Sequence, residues 1–345
     1  MAYNYNELRL EKGMYSVVGK SFTDVLEGLD PSENYRGTAL EGLDAYQRQL
    51  KRFDIKARGA GSDMVEKFFS TADSSVLFPE YVARSIRAGM EEGNILPSIT
   101  ATVTDFDGMD YRSIYSAPTS DEKSLRRVEE GAAIPQTEVR VGEHTIKLNK
   151  RGRMLVASYE AIRFQRLDLF SVMLRQIGSQ IMRMHLDDAI DVLINGDGNS
   201  NSASSYTIGD ATIGGTAGTL TYDALLKFWN EFDPYALNTL LVAPDAMLKL
   251  LGLSVFQDAS AGLNFQGSGE PVTPLGAKLI KSSAVSSGKI IGLDRGYALE
   301  MIRCGDVSVE YDRLIDRQLE RAAVTSISGF AKLYDGASAV LNIGG

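Results

Sequence analysis

Cysteine is nearly missing from this 345-residue chain, where Cys304 stands alone. No disulfide can form within one copy, which fits assembly in a reducing compartment. Histidine is almost as scarce, with His144 and His185 the two present. Catalytic triads and zinc sites built from His and Cys therefore have few parts to draw on. No apolar run approaches the ~18 residues that a membrane span needs. The stretch from Met1 to Tyr15 is polar and charged throughout, unlike a secretory signal, and Asn-x-Ser/Thr sequons are absent. Cationic charge is in deficit too, with 36 Lys and Arg against 45 Asp and Glu and a net charge of −9. A tight, sequence-independent grip on nucleic acid needs clustered Lys and Arg, which this balance argues against. A container that should not hold its contents fast is compatible with it.

Nucleotide and hydrolase motifs are missing as well. Gly269 to Lys278 lacks Walker A spacing, no Gly-x-Gly-x-x-Gly opens a helix after a strand, and no Gly-x-Ser-x-Gly elbow occurs. His185 and Asp188 lie three apart and share a helix face, but a metal site needs a third ligand, and a solvated or intersubunit polar face is the expectation. Asn195 to Asn201 superficially suggests a calcium loop. Counted from Asp197, however, the sixth position is Ser202 instead of Gly and the twelfth is Ile208 instead of Glu. The chain is therefore read as no enzyme, with no cofactor and no metal.

What is present is a long strut. Leu167, Phe170, Leu174, Ile177, Ile181 and Met184 recur at steps of three and four, and the stripe then shifts to Ala189, Ile190 and Leu193. This predicts a proline-free helix from Leu167 to Ile194, about 42 Å long at 1.5 Å per residue, stopped by Asn195-Gly196-Asp197-Gly198. Asp168 suits the positive end of its dipole.

Ahead of it, Leu40, Leu43, Tyr46 and Leu50 suggest a short amphipathic helix in a separable leading segment that ends in the linker Gly59-Ala60-Gly61-Ser62. A second helix is expected from Pro79 to about Glu92, with Gly93 as its stop. Ala101 to Thr104, Met109 to Tyr115, Glu138 to Val141 and His144 to Leu148 alternate with period two. Between them runs the charged stretch Ser116 to Glu130, so the whole reads as a projecting hairpin that needs something to lie on.

After the strut, Asn199 to Ser205 reads as loop. An α/β layer follows, with helices at Tyr222 to Phe232 and Pro244 to Leu253 and strands at Thr239 to Val242, Lys278 to Ile280, Lys289 to Gly292 and Ala298 to Ile302. Val307 to Ile343 is strand-like and returns to the strut.

In order, Glu129-Glu130-Gly131-Ala132-Ala133-Ile134-Pro135, Lys150-Arg151-Gly152-Arg153-Met154-Leu155-Val156-Ala157-Ser158-Tyr159-Glu160, the long helix and its Ile194-Asn195-Gly196-Asp197-Gly198 ending resemble the major capsid protein of tailed bacteriophages, the Hong Kong 97-type fold. Pro274-Leu275-Gly276, Ile291-Gly292-Leu293-Asp294 and Gly329 to Ile343 add to the likeness, which covers roughly Phe68 to Ile343.

The resemblance implies an α+β fold with an N-arm, an E-loop hairpin, a P domain with a long spine helix and an α/β A domain. Mapped on this chain, 1–62 is an N-terminal helical segment, 63–100 the N-arm and first P-domain helix, and 101–150 the E-loop. The P domain with its spine helix takes 151–208, the A domain 209–317 and the P-domain return strands 318–345. It further implies self-assembly into hexamers and pentamers of an icosahedral head, located in the virion after assembly in the host cytoplasm. That head would enclose double-stranded DNA without sequence-specific binding, with a portal and a scaffolding protein as partners and no membrane.

Some relatives weld their shells through an isopeptide bond between an E-loop Lys and a later Asn. Lys123 could serve as the first, but the later stretch reads Asp316-Arg317-Gln318-Leu319-Glu320, so a non-covalent shell is expected. The leading segment is short, which favours a separate scaffolding protein or arm-mediated assembly. Intersubunit contacts are expected at Lys123, Arg126, Arg127, Glu129 and Glu130, where charge would set register. An encapsulin-like bacterial compartment is the alternative on the same fold.

Overall fold

A computed structural model describes residues 5–17, 19–108, 110–112, 114–115, 140–141, 144–158, 164–257, 275–305, 307–314 and 319–344. The helices are α1 (Phe22–Leu29), α2 (Ala45–Arg52), α3 (Ala72–Ser75), α4 (Phe78–Glu91), α5 (Leu167–Asn195), α6 (Tyr222–Asn230), α7 (Pro244–Leu251) and α8 (Ser254–Gln257). The strands are β1 (Thr102–Asp105), β2 (Asp110–Tyr111), β3 (Ile114–Tyr115), β4 (Arg140–Val141), β5 (Ile146–Lys147), β6 (Asn149–Ser158) and β7 (Ser204–Thr207). They continue with β8 (Thr239–Val242), β9 (Lys278–Lys281), β10 (Lys289–Leu293), β11 (Leu299–Arg303), β12 (Ser308–Leu314), β13 (Leu319–Lys332) and β14 (Ser338–Asn342). The chain divides into two compact units: Met1–Gly93, Arg151–Met182 and Val307–Ser326 make the first, and Asn94–Lys150, Arg183–Asp306 and Ile327–Gly345 the second.

In the first unit, α4 packs against the leading part of α5. Phe78, Tyr81, Val82 and Ile86 of α4 share one buried cluster with Leu167, Phe170, Leu174, Ile177 and Ile181 of α5. Two glycines set how closely the helices approach. A Cβ on Gly89 would lie less than 3 Å from the Arg175 carbonyl oxygen, and one on Gly178 less than 3 Å from that of Ile86. Main chain thus meets main chain at the crossing. Pro79 stands in the first turn of α4, where its missing N–H costs nothing, and Gly93 at φ +73° follows the helix end. Strand β12 pairs antiparallel with the first half of β13, from Ser308↔Thr325 to Leu314↔Leu319, and β6 also pairs with β13.

The expected separability of the leading segment is overturned. Leu8, Leu10, Phe22, Leu26, Ala45 and Tyr46 are buried in the same cluster as the two long helices. At about 1.5–3 kcal/mol for each large apolar side chain, that burial fastens the segment to the unit. The helix predicted from Leu40 starts at Ala45 instead, because Asp44 takes the N-cap position: it accepts Gln47 N–H at 2.7 Å while Gln47 Oε1 accepts Asp44 N–H at 3.1 Å. Behind it Arg48 is wholly buried, with Nε 2.8 Å from Asp30 Oδ2 and its guanidinium 4.4 Å above the Tyr35 ring.

The second unit holds a sheet in the order β7-β14-β10-β8-β9. Strands β10 and β14 are antiparallel, as are β8 and β10, whereas β7 runs parallel to β14 and β9 parallel to β8. Bare Gly292 in β10 gives the rings of Phe228 and Phe232 room, since a Cβ there would fall 2.8 Å from each. Part of the stretch read as loop is strand: Ser204 to Thr207 form β7, paired on one side only among the described residues. Alternating serines gave no apolar signal for it. Elsewhere in this unit β1 lies parallel on β11, and β11 pairs antiparallel with the end of β13, from Leu299↔Lys332 to Arg303↔Ser328.

Candidate functional site

For a chain with an expected hairpin and a long strut, the surfaces of interest are the root of the hairpin and the faces of the helix. At the root, β2 pairs antiparallel with β5 and β3 with β4, in the register Asp110↔Lys147, Tyr111↔Ile146, Ile114↔Val141 and Tyr115↔Arg140. This is the two-armed ribbon that the alternation predicts. Its charged tip, with Lys123, Arg126, Arg127, Glu129 and Glu130, lies outside the described residues, and so do Asp316, Arg317 and Gln318.

Buried Glu300 of β11 pins the root. Its carboxylate accepts hydrogen bonds from Thr104 Oγ1 at 2.5 Å and from the Tyr111 hydroxyl at 2.8 Å. Burial, and then the hydrogen bond to this carboxylate, push the Tyr111 phenol up to about 12. Around these polar groups Ile146, Leu148, Ile302 and Ala331 form a small core, with Phe106, Tyr111 and Ile327 against it. The root sits on Gly329, where a Cβ would fall 2.6 Å from Leu148 Cδ2. His144 N–H donates to Asn199 Oδ1 at 2.9 Å, fastening the second arm to the turn after α5. Nothing in the sequence marked Glu300, a carboxylate inside a strand whose other positions are almost all apolar.

Strut α5 runs from Leu167 to Asn195, one residue beyond the expected end. Leu167, Phe170, Leu174, Ile177 and Ile181 are buried as predicted, but Met184 is 44% exposed. His185 takes the inward place instead, buried with Nδ1 2.5 Å from Ser328 Oγ of β13. The step after Ile181 is four residues, not three, and it brings an imidazole inside. His185 is therefore neither solvated nor displayed for a neighbouring copy. Among the described residues, no three His, Cys, Asp or Glu side chains are grouped so as to hold a metal ion.

Where the calcium-like loop was weighed, the structure has a polar clasp. Asp197 Oδ2 accepts the Lys332 N–H at 2.9 Å, and Lys332 Nζ donates to the Asn201 carbonyl at 2.8 Å. Asn201 Oδ1 in turn accepts the Asp197 N–H at 3.0 Å. Sequence reasoning missed Lys332, which shows as a lone cation in an apolar stretch.

A family model of phage capsid proteins matches residues 142–331, more than half of the chain. The chain belongs to the phage capsid protein family. No curated protein matches it by sequence. Among solved structures, the capsid of a native GTA particle is similar at 16% identity and a TM-score of 0.54, covering 72% of this chain and 90% of that one. The capsid of an empty GTA particle gives 16% and 0.52, over 73% and 90%. A virus-like particle from Pyrococcus furiosus gives 14% and 0.50, over 76% and 98%. The capsid protein thus has the α+β Hong Kong 97-type fold, and it is a structural protein of an icosahedral phage shell. Among the described residues of this capsid protein, no helix is long and apolar enough to cross a membrane.

Proposed function

We propose that this protein is the major capsid subunit that self-assembles, as hexamers and pentamers, into the icosahedral head around the double-stranded DNA of a tailed phage. The family match over residues 142–331 carries this reading, because it spans the second hairpin arm, the strut and the α/β layer together. Under it, 63–100 serve as N-arm and first P-domain helix, 101–150 as E-loop, 151–208 and 318–345 as P domain and 209–317 as A domain. Residues 1–62 lead into the N-arm. Repetition of modest contacts between copies closes the shell. Lys123, Arg126, Arg127, Glu129 and Glu130 set register at the hairpin tip through salt-sensitive charge contacts.

The absence of an Asn among Asp316, Arg317, Gln318, Leu319 and Glu320 supports a non-covalent shell. A portal and a scaffolding protein complete the partners, with assembly in the host cytoplasm. DNA is enclosed without sequence-specific contacts, with which the net charge of −9 is compatible.

Negative-stain microscopy of the purified protein tests the reading. Uniform hollow particles or capsomer rings are expected, and deletion of residues 116–130 should leave a folded subunit that fails to close. Normal shells from that deletion would sink the assigned role of the hairpin. A second reading, an encapsulin-like compartment, draws on the likeness to the virus-like particle from Pyrococcus furiosus. Shells recovered from infected cells holding a companion protein and no DNA would favour it.

A further inference from the structure

The two halves of the hairpin ribbon do not share one register. Asp110↔Lys147 and Tyr111↔Ile146 follow one alignment, but Ile114↔Val141 and Tyr115↔Arg140 follow another. Between these rungs the first arm has two residues, 112–113, and the second has four, 142–145. The pairing therefore slips by two. An excess of residues in one strand bends a ribbon, raises its twist and leaves main-chain groups without a cross-strand partner. The slip is thus where the direction of the hairpin is decided.

Each arm is tied down at this level by a different group. Tyr111 of the first arm donates its hydroxyl to Glu300. In the second arm, His144 lies inside the four-residue stretch, and its N–H goes to Asn199 Oδ1 at 2.9 Å. His144 and Thr145 are exposed, so packing of these two side chains does not hold the arm here.

Asn199 is prepared for this bond. Its Nδ2 donates to Asp197 Oδ1 at 2.9 Å and its N–H to the same oxygen at 3.1 Å, which fixes the carboxamide with Oδ1 left to accept. Asp197 Oδ2 in turn takes the Lys332 N–H of β13 at 2.9 Å, and the Asp197 N–H goes to Asn201 Oδ1 at 3.0 Å. The acceptor is thus held by the turn and by β13, so little ordering entropy is lost when it takes the His144 N–H. Next to it Ser200 sits at φ +57°, a left-handed conformation that a residue with a side chain seldom adopts. Such strain persists where the surrounding structure holds a group in a required place.

We propose that Asn199 is a positioning residue for shell assembly: by holding the His144 N–H at the register slip, it sets the direction of the hairpin relative to the turn that ends the strut. What that direction serves rests on the shell reading above, which is deepened by naming the residue that aims the hairpin. A hairpin released from Asn199 keeps its first-arm anchor at Glu300 and swings about it, so neighbouring copies receive it at varied angles.

The full chain, kept below its assembly concentration, tests the tether first. In a Cys304→Ser background, spin labels at Arg140→Cys, beyond the slip, and at Leu248→Cys, an exposed position of α7, report one distance by double electron–electron resonance. Wild type should give a narrow distribution. Asn199→Ala should broaden it and lower the population at the wild-type distance, relative to the rest, about fivefold, the scale of one hydrogen bond. Hydrogen exchange gives a second readout. In Asn199→Ala the His144 amide should exchange about fivefold faster, while the Lys332 amide, bound to Asp197, keeps its protection. Under assembly conditions the share of subunits in uniform shells should fall several-fold. An unchanged distance distribution, or loss of protection at both amides, would make Asn199 a residue of the turn alone and overturn the assignment. Uniform shells from Asn199→Ala at the wild-type yield would overturn its role in assembly. Wild type that never assembles, with or without a scaffold, overturns the shell reading, whereas the distance measurement still decides the tether.

Discussion

Lys332 Nζ lies 2.8 Å from the main-chain oxygen of Asn201, closing the end of β13 onto the turn that follows the strut. The side chain is buried, and loss of hydration pulls its ammonium from the usual lysine range down to about 8, with Asp335 and Asp197 opposing the shift. Below that value the folded and unfolded chains both carry the proton, and the folded one bears the full cost of burying the charge. Between about 8 and the ordinary lysine value of roughly 10.4, only the unfolded chain keeps it. Stability contributed by this group therefore rises with pH across that window. Urea titrations should show the stability of wild type, relative to Lys332→Met, rising by on the order of 3 kcal/mol from pH 7.5 to 10.5. A difference that stays flat or falls would refute the assignment.

Glycine behaves in opposite ways at two helical positions. Gly28 in α1 has open space around a would-be Cβ, so Gly28→Ala should stabilise the protein by about 0.5–1 kcal/mol. Gly178→Ala pushes a methyl into the main chain of α4 and should cost more than about 3 kcal/mol. Denaturation midpoints that moved the same way in both variants would contradict the crossing geometry.

Arg48 is the cation whose loss should matter most near the N-terminus. It is bound to Asp30 Oδ2 at 2.8 Å, Ser32 Oγ at 2.9 Å and the Leu43 carbonyl at 2.6 Å. Arg48→Met leaves Asp30 buried without its cation, a change of about 3–5 kcal/mol. Limited proteolysis should then cut within residues 1–62 well before the rest of the chain. Equal resistance in the variant and wild type would show that the network is dispensable.

Removing the imidazole of His185 tests the structural reading of the strut. His185→Leu strands the Ser328 hydroxyl and should cost about 1–3 kcal/mol. The melting temperature of wild type should not respond to zinc or to a chelator. A zinc-dependent rise of several degrees that the variant abolishes would reopen the metal reading.

Helix periodicity made the first five positions of the strut stripe legible, because their burial follows from a 3.6-residue repeat and apolar side chains alone. The sixth failed at Met184, since no local rule tells that a polar His185 finds its partner on a distant strand. The hairpin root was legible through alternation, whereas its anchor Glu300 was not, because its donors Thr104 and Tyr111 come from far away in sequence. Leu8, Leu10 and Phe22 misled for the same reason: scattered apolar residues reveal burial only once the helices they cover are assembled. The register slip of the hairpin could not be seen either, as alternation marks each arm but not which residues pair across them.

Where α4 and α5 cross, no layer of side chains separates their backbones. Elsewhere in this core a lineage can drift a methyl at a time, one residue growing as its neighbour shrinks. At Gly89 and Gly178 there is nothing left to shrink. Each position tolerates a single amino acid, and a change at one cannot be compensated at the other. The crossing thus leaves this chain no side-chain volume to trade, whereas the rest of the core can exchange one methyl for another.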